Sequence, residues 1–200
     1  IVYDAGAAAG PDVVRRQIAP FLWSRGIGRI DELILSHADL DHFNGVPQLA
    51  ERFTIGRVVA SPLFSERASP GMKRTLESLR ERSIPLETVR VGDIWEADSV
   101  RFEVLHPPAV FPVAKENARS LVLHVATGDW TMLLTGDLED AGLGRVLSMP
   151  PRPVDLLMAP HHGSDSANIP ALAAWAKPKL VVSSQAEPLN DRESVRMYAR

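Results

Sequence analysis

Cysteine is absent from the 200 residues. That excludes disulfides, thiol nucleophiles and Cys-ligated zinc, and leaves the redox compartment open. Long hydrophobic runs are lacking too: no stretch approaches the roughly 20 apolar residues of a membrane span. Nor is there a basic excess. The 22 Lys and Arg stand against 25 Asp and Glu, a formal charge of −3, so the overall electrostatic signature of a nucleic-acid binder is missing. No internal repeat, low-complexity tract or signal peptide is evident, and Ile1 falls inside an apparent strand. The chain therefore reads as a piece of a longer protein. What remains is ordinary for a soluble globule: 45% hydrophobic and 24% charged residues,. That composition excludes a disordered or collagen-like chain. A chain of this length buries roughly 70% of its unfolded surface, enough for one domain or a tight pair of subdomains without staples.

Short apolar runs alternate with helical patterns, the pattern of an α/β domain. Strands are expected at 1–6, 33–36, 58–60, 86–91, 100–105, 120–126, 130–135, 155–159 and 179–184,. Helices are expected at 11–25, 45–53, 70–83, 138–147 and 169–176. In the first, Val14, Ile18 and Leu22 recur at four-residue spacing, although Pro20 threatens its last turn,. In the third, Met72, Leu76 and Leu79 share one face,. Residues 127–130 read as a hairpin turn, and three prolines make 106–116 the main loop,. No linker composition divides the chain, which is expected to form a single domain over 1–200.

Three apolar strands run straight into polar clusters. The first is followed by His37-Ala38-Asp39-Leu40-Asp41-His42, the second by Gly136-Asp137, and the third by Pro160-His161-His162-Gly163-Ser164. Four of the six histidines lie in two of these clusters. Taken singly, these are an ordinary loop pair, a turn and a polar surface dyad. Together they place imidazole and carboxylate groups beyond strand ends, where open α/β sheets gather ligands. Imidazole with carboxylate is what divalent metals need, and the set is large enough for two ions.

The segment Ser36-His37-Ala38-Asp39-Leu40-Asp41-His42-Phe43-Asn44-Gly45 resembles the first metal motif of the metallo-β-lactamase superfamily, with Asp39 where the second His usually stands. That variant looks like the hydrolase domain at the C-terminal end of the ComEC family of DNA-uptake competence proteins. Other pieces agree in order. They are Asp4-Ala5-Gly6, Asn117-Ala118-Arg119-Ser120, Leu134-Thr135-Gly136-Asp137-Leu138-Glu139, Pro160-His161-His162-Gly163-Ser164 with Ser166, and Pro178-Lys179. The likeness runs from Ile1 to about Ser184.

The resemblance implies an α/β fold, a four-layer αβ/βα sandwich, here without the one or two strands with which the family begins. It implies two divalent ions, manganese or zinc, with magnesium possible. His37 and Asp39 would hold the first, Asp41 and His42 the second, and Asp137 would bridge them. His161 is favoured over His162 to complete the second site, since the superfamily often shows H-x-G there. The other histidine, with Asp41, would serve the chemistry by contacting substrate or protonating a leaving group. The third ligand of the first ion stays open between Asn117, His106 and none. His106 also reads as a strand-end histidine and His124 as a packed one. Asp39 in place of His enriches the site in oxygen and shifts its preference towards manganese or magnesium. Asp39, Asp41 and Asp137 against two divalent ions leave about +1, suited to an anionic phosphodiester. Lys115 and Arg119 could meet phosphates or be plain loop charges. Arg15 and Arg16 read as solvated surface.

The activity implied is a metal-dependent nuclease degrading DNA, single strands in preference, by metal-hydroxide attack on phosphorus during uptake. The alternatives are another hydrolase of the superfamily, for a lactone, thioester or small phosphodiester, and a silent domain that gates a channel. β-Lactamase activity is disfavoured by Asp39. The resemblance also places the chain as a soluble domain of a bacterial membrane protein whose membrane channel portion would be its partner. It leaves the side of the membrane open.

Overall fold

Parallel pairing organises the first ninety residues. The computed structural model describes residues 1–66, 68–112, 115–185 and 197–198. It divides them into two units, Ile1–Val89 and Arg90–Arg200, each with its own sheet and apolar core. In the first unit β1 (Val2–Tyr3), β2 (Arg29–Ile34), β3 (Thr54–Ala60) and β4 (Leu86–Thr88) pair in that order, all parallel. Parallel neighbours need crossovers, and here these are helical. A helical stretch joins β1 to β2, α2 (Leu40–Phe43) and α3 (Val46–Arg52) join β2 to β3, and α4 (Pro70–Glu81) leads to β4. Leu33, Val46, Leu49, Val58 and Phe43 fill the core. Ser69 caps α4 by accepting the Met72 N–H at 3.1 Å, a contact worth about 1 kcal/mol,.

Pro20 does not break its helix. The first turn, Val14–Ile18, is wound as a π-helix and passes into α1 (Ala19–Ser24), with Pro20 in the first turn of α1. The wider turn makes room for a ring that would otherwise press on the carbonyl one turn back. β2 starts four residues earlier than the apolar run suggests. Its polar residues are satisfied sideways: buried Glu32 is ion-paired with Arg57 of β3.

The second unit holds a six-stranded sheet, β10-β9-β8-β7-β6-β5. β5 (Ile94–Ala97), β6 (Val100–His106), β7 (Val122–Thr127) and β8 (Trp130–Leu134) form an antiparallel meander. The turn between β7 and β8 falls at Gly128-Asp129, as the hairpin reading expects. β9 (Leu156–Met158) and β10 (Leu180–Val182) continue the sheet in parallel with β8. α5 (Asp140–Leu147) and α6 (Pro170–Ala176) supply Val146, Leu172 and Trp175 to a core with Leu133 and Leu157. β5 escapes the hydrophobic pattern. It is held by Trp95 stacking on Phe102 across the strand pair, with centroids 4.8 Å apart,.

The parallel sections decide where the chemistry sits. Strands that run the same way end at the same edge. β1 and β2 therefore deliver Asp4 and Ser36-His37 side by side. β8 and β9 likewise deliver Gly136-Asp137 and Pro160-His161-His162. Among the described residues no helix is long and apolar enough to cross a membrane.

Candidate metal centre

In the first unit the Asp4 carboxylate is the hub. The Ser36 N–H donates to its Oδ1 at 2.7 Å, and the Ser36 hydroxyl donates to its Oδ2 at 2.7 Å. His42 Nδ1 lies 2.8 Å from the same Oδ2. An ionised carboxylate only accepts, so His42 carries its proton on Nδ1. Ser36 has one hydroxyl proton and gives it to Asp4, so it accepts from His37 Nδ1, 2.9 Å away,. Both imidazoles are thereby fixed in the tautomer that leaves Nε2 with a lone pair. Their rings lie 4.2 Å apart. His37 Nε2 is buried and has no hydrogen-bond partner among the described residues. Asp39 Oδ2 lies 3.7 Å from it. Asp39 stands at the entrance of α2, and half-buried Asp41 in its first turn.

The backbone clamps this loop tightly. Asp4 takes a left-handed conformation, φ 57°. The Ala5 N–H then reaches the His42 carbonyl at 2.9 Å. A Cβ on Gly6 would collide with the Asp41 carbonyl, and one on Gly45 with the Ala5 carbonyl. Both positions therefore exclude a side chain.

In the second unit buried Asp137 donates its N–H to Ser120 Oγ at 3.2 Å. His161 and His162 turn their Nε2 atoms to Asp137 Oδ2, at 3.9 and 3.6 Å. Their Nδ1 atoms are held elsewhere. His161 Nδ1 meets Glu139 Oε2 at 2.9 Å, and His162 Nδ1 donates to the Ser184 carbonyl at 2.7 Å. Both residues are left-handed, φ 49° and 52°. Strain of that kind persists only where the surroundings enforce it. Here Thr135 Oγ1 ties β8 to the Met158 carbonyl at 2.7 Å, and Asn168 Nδ2 holds the Pro160 carbonyl at 2.9 Å.

The structure brings His37, Asp39 and His42 together in the first unit, and Asp137, His161 and His162 in the second. It engages the remaining histidines differently. His106 ends β6 fully buried, and its Nε2 donates to the Ala118 carbonyl at 2.8 Å. Burial pushes its pKa down to about 4, so it stays neutral. His124 lies within β7 opposite Glu103, and burial lowers its pKa also. Asn117 directs its amide to Glu139 Oε1 at 3.2 Å. Lys115 pairs with Asp140 at 2.7 Å, and Arg119 lies 3.6 Å from Glu116.

Four residues that sequence reasoning left without a role orient the cluster: Asp4, Ser36, Ser120 and Glu139. Their only sequence signal is their place inside the matched motifs.

The donor set suits divalent metals. All four cluster histidines have Nδ1 anchored by oxygen, the arrangement in which protein imidazoles ligate through Nε2. Carboxylates lie within 4 Å of three of those Nε2 atoms.

Comparison with known proteins agrees. The sequence model described as the metallo-beta-lactamase superfamily matches residues 1–180. The chain is 34% identical over 168 residues to ComE operon protein 3 of Bacillus subtilis (strain 168), covering 84% of this chain and 21% of that protein. It is 28% identical over 185 residues to Recombination protein 2 of Haemophilus influenzae, covering 92% of this chain and 21% of that protein. The chain thus spans about a fifth of the length of these relatives. Among solved structures, the Rm3 metallo-beta-lactamase aligns with TM-score 0.54 at 16% identity, over 82% of this chain and 68% of that one. The metallo-beta-lactamase fold protein YhfI from Bacillus subtilis aligns with TM-score 0.52 at 14% identity, over 78% and 57%. At such identities the structural likeness shows the fold alone.

Proposed function

The chain belongs to the metallo-beta-lactamase superfamily, and from that premise we propose that it is a metal-dependent phosphodiesterase that cleaves DNA. The observation that carries the reading is the common state of the four cluster histidines: each has Nδ1 held by oxygen, the anchoring that ligating imidazoles show. In this reading His37, Asp39, Asp41, His42, Asp137 and His161 would hold two divalent ions, with Asp137 serving both. When bound, such ions polarise a phosphoryl oxygen and make water acidic enough to attack phosphorus near neutral pH.

The remaining steps belong to the chain. Asp4 and Ser36 hold the His37 and His42 rings in register, so binding requires no reorientation of either. His162 is the more exposed of the pair, its side chain 41% exposed against 34% for His161, with Nδ1–H anchored on the Ser184 carbonyl. Its Nε2, 3.6 Å from Asp137 Oδ2, is then the atom that gives a proton to the departing sugar oxygen. Asp41 serves both as ligand and in orienting the attacking water.

One relative's name, "Competence protein ComA" of Neisseria gonorrhoeae, places that protein in the setting of competence. That setting supports DNA as substrate. The net charge of −3 supports single strands over duplex, because a site without a broad basic face grips a stiff duplex poorly. The partner in this reading is the membrane portion of a longer protein.

The test is manganese-stimulated release of acid-soluble nucleotides from single-stranded DNA. Wild type should release them and His42→Ala should not. Equal release by both would overturn the nuclease reading. Hydrolysis of lactones or thioesters with none of DNA would favour another hydrolase of the superfamily.

A further inference from the structure

Asn117 is the residue that best distinguishes a ligand from a supporting group in the second unit. It opens a short 3-10 turn, Asn117–Arg119, just before β7. Its Nδ2 donates to Glu139 Oε1 at 3.2 Å. The other oxygen of that carboxylate, Oε2, accepts from His161 Nδ1 at 2.9 Å. On the far side of the imidazole, Nε2 faces Asp137 Oδ2 at 3.9 Å. A chain of contacts therefore runs from Asn117 through Glu139 to His161, ending at the nitrogen that points to the proposed ligand Asp137.

We propose that Asn117 and Glu139 are a positioning pair for His161, and that Asn117 acts through Glu139 and not as a ligand. This rests on the metal-binding reading of the proposed function.

Three features support the pair. First, the Glu139 side chain is only 13% exposed, so water competes weakly for its two oxygens. Second, His161 is left-handed, φ 49°, and its N–H is tied to the Gly136 carbonyl at 3.2 Å. A backbone held this way restricts the ring's reach, and the carboxylate then selects its rotation. Third, an anionic acceptor on Nδ1 both fixes the Nδ1–H tautomer and makes Nε2 a better donor to a cation. The left-handed Asp140 next to Glu139 is held from outside by Lys115 at 2.7 Å, which anchors the segment that presents the carboxylate.

The pair has an internal logic that a substitution can use. In Glu139→Gln the side-chain oxygen can still accept from His161 Nδ1. Its new amide needs an acceptor, which Asn117 supplies by turning its own amide over. Glu139→Ala removes both contacts. Asn117→Ala removes one and leaves Glu139 on His161.

The experiment measures the 200-residue chain in two ways. Two-dimensional nitrogen–proton NMR of the metal-free chain reads the His161 tautomer. Calorimetric titration with manganese chloride reads metal affinity. Wild type should show the Nδ1–H tautomer alone. Glu139→Ala should show a tautomer mixture and about 10–100-fold weaker binding. Glu139→Gln should recover the tautomer and part of the affinity, and Asn117→Ala should lose only a few-fold. If Glu139→Ala and Glu139→Gln both keep the wild-type tautomer and affinity, the pair is overturned. A wild-type chain that takes up no metal, yet changes tautomer in Glu139→Ala, would overturn the metal reading and leave the positioning contact standing.

Discussion

Replacing Asp4 by alanine is the sharpest perturbation of the first cluster. Three donors converge on its carboxylate: the Ser36 N–H at 2.7 Å, the Ser36 hydroxyl at 2.7 Å and His42 Nδ1 at 2.8 Å. Ser36 is fully buried and His42 nearly so. A buried donor left without a partner costs about 1–3 kcal/mol. Three such donors would set an upper figure well above that of a single bond. The Asp4 side chain is 13% exposed, however, so water can enter the gap and satisfy some of them. A net loss of about 3 kcal/mol follows. Freed from Asp4, the Ser36 hydroxyl can also turn towards either imidazole and blur both tautomers. Metal affinity should fall about 10–100-fold for the same reason that outer partners of ligands matter elsewhere. Urea denaturation of the metal-free protein measures the first effect, and hydrogen exchange at the Ser36 amide localises it. A loss under about 1 kcal/mol, with Ser36 still protected, would refute the reasoning, since it would mean the carboxylate holds nothing that water cannot hold as well.

Other outcomes follow from the same geometry. His106 has its pKa pushed down to about 4 by burial, from an ordinary value of 6.5. The folded state resists its protonation, so its contribution is whole above pH 6.5 and is lost as the pH falls towards 4, about 3 kcal/mol in all,. His106→Gln should flatten that slope in denaturation curves taken between those pH values, and an unchanged slope would assign it to other groups. Gly45→Ala should destabilise the protein by about 1–3 kcal/mol, because its Cβ would meet the Ala5 carbonyl. A neutral melting curve would show that the loop can yield. Asp39→His should bind zinc relatively more tightly and depend less on manganese. An unchanged ratio of manganese- to zinc-supported activity would show that ligand hardness does not set the preference.

Much of the site was legible because its residues follow apolar strands, and an apolar run ending in His, Asp or Gly-Asp is visible in a linear string. The helix over Pro70–Glu81 was legible for a similar reason, as Met72 and Leu79 repeat on one buried face. Lateral contacts were not legible. β2 begins at Arg29 because Glu32 finds Arg57 on the neighbouring strand, a pairing that no local pattern encodes. β5 depends on Trp95 meeting Phe102 across a turn. The orienting groups were hidden most completely. Asp4 lies 38 residues from His42, and Glu139 lies 22 residues from His161. Only the fold shows that these carboxylates sit behind the imidazoles. The same distance effect explains Asn117, which the sequence leaves open as a third ligand and which bonds to Glu139.

The central claim, that the two strand-end clusters serve divalent metal ions, is tested most directly by titrating manganese into the metal-free chain and into its Asp137→Ala variant while heat is recorded. The account predicts uptake of up to two ions by the wild-type chain and a clear fall in stoichiometry when Asp137 is removed. An undiminished stoichiometry in the variant, or no uptake by the wild-type chain, would contradict it.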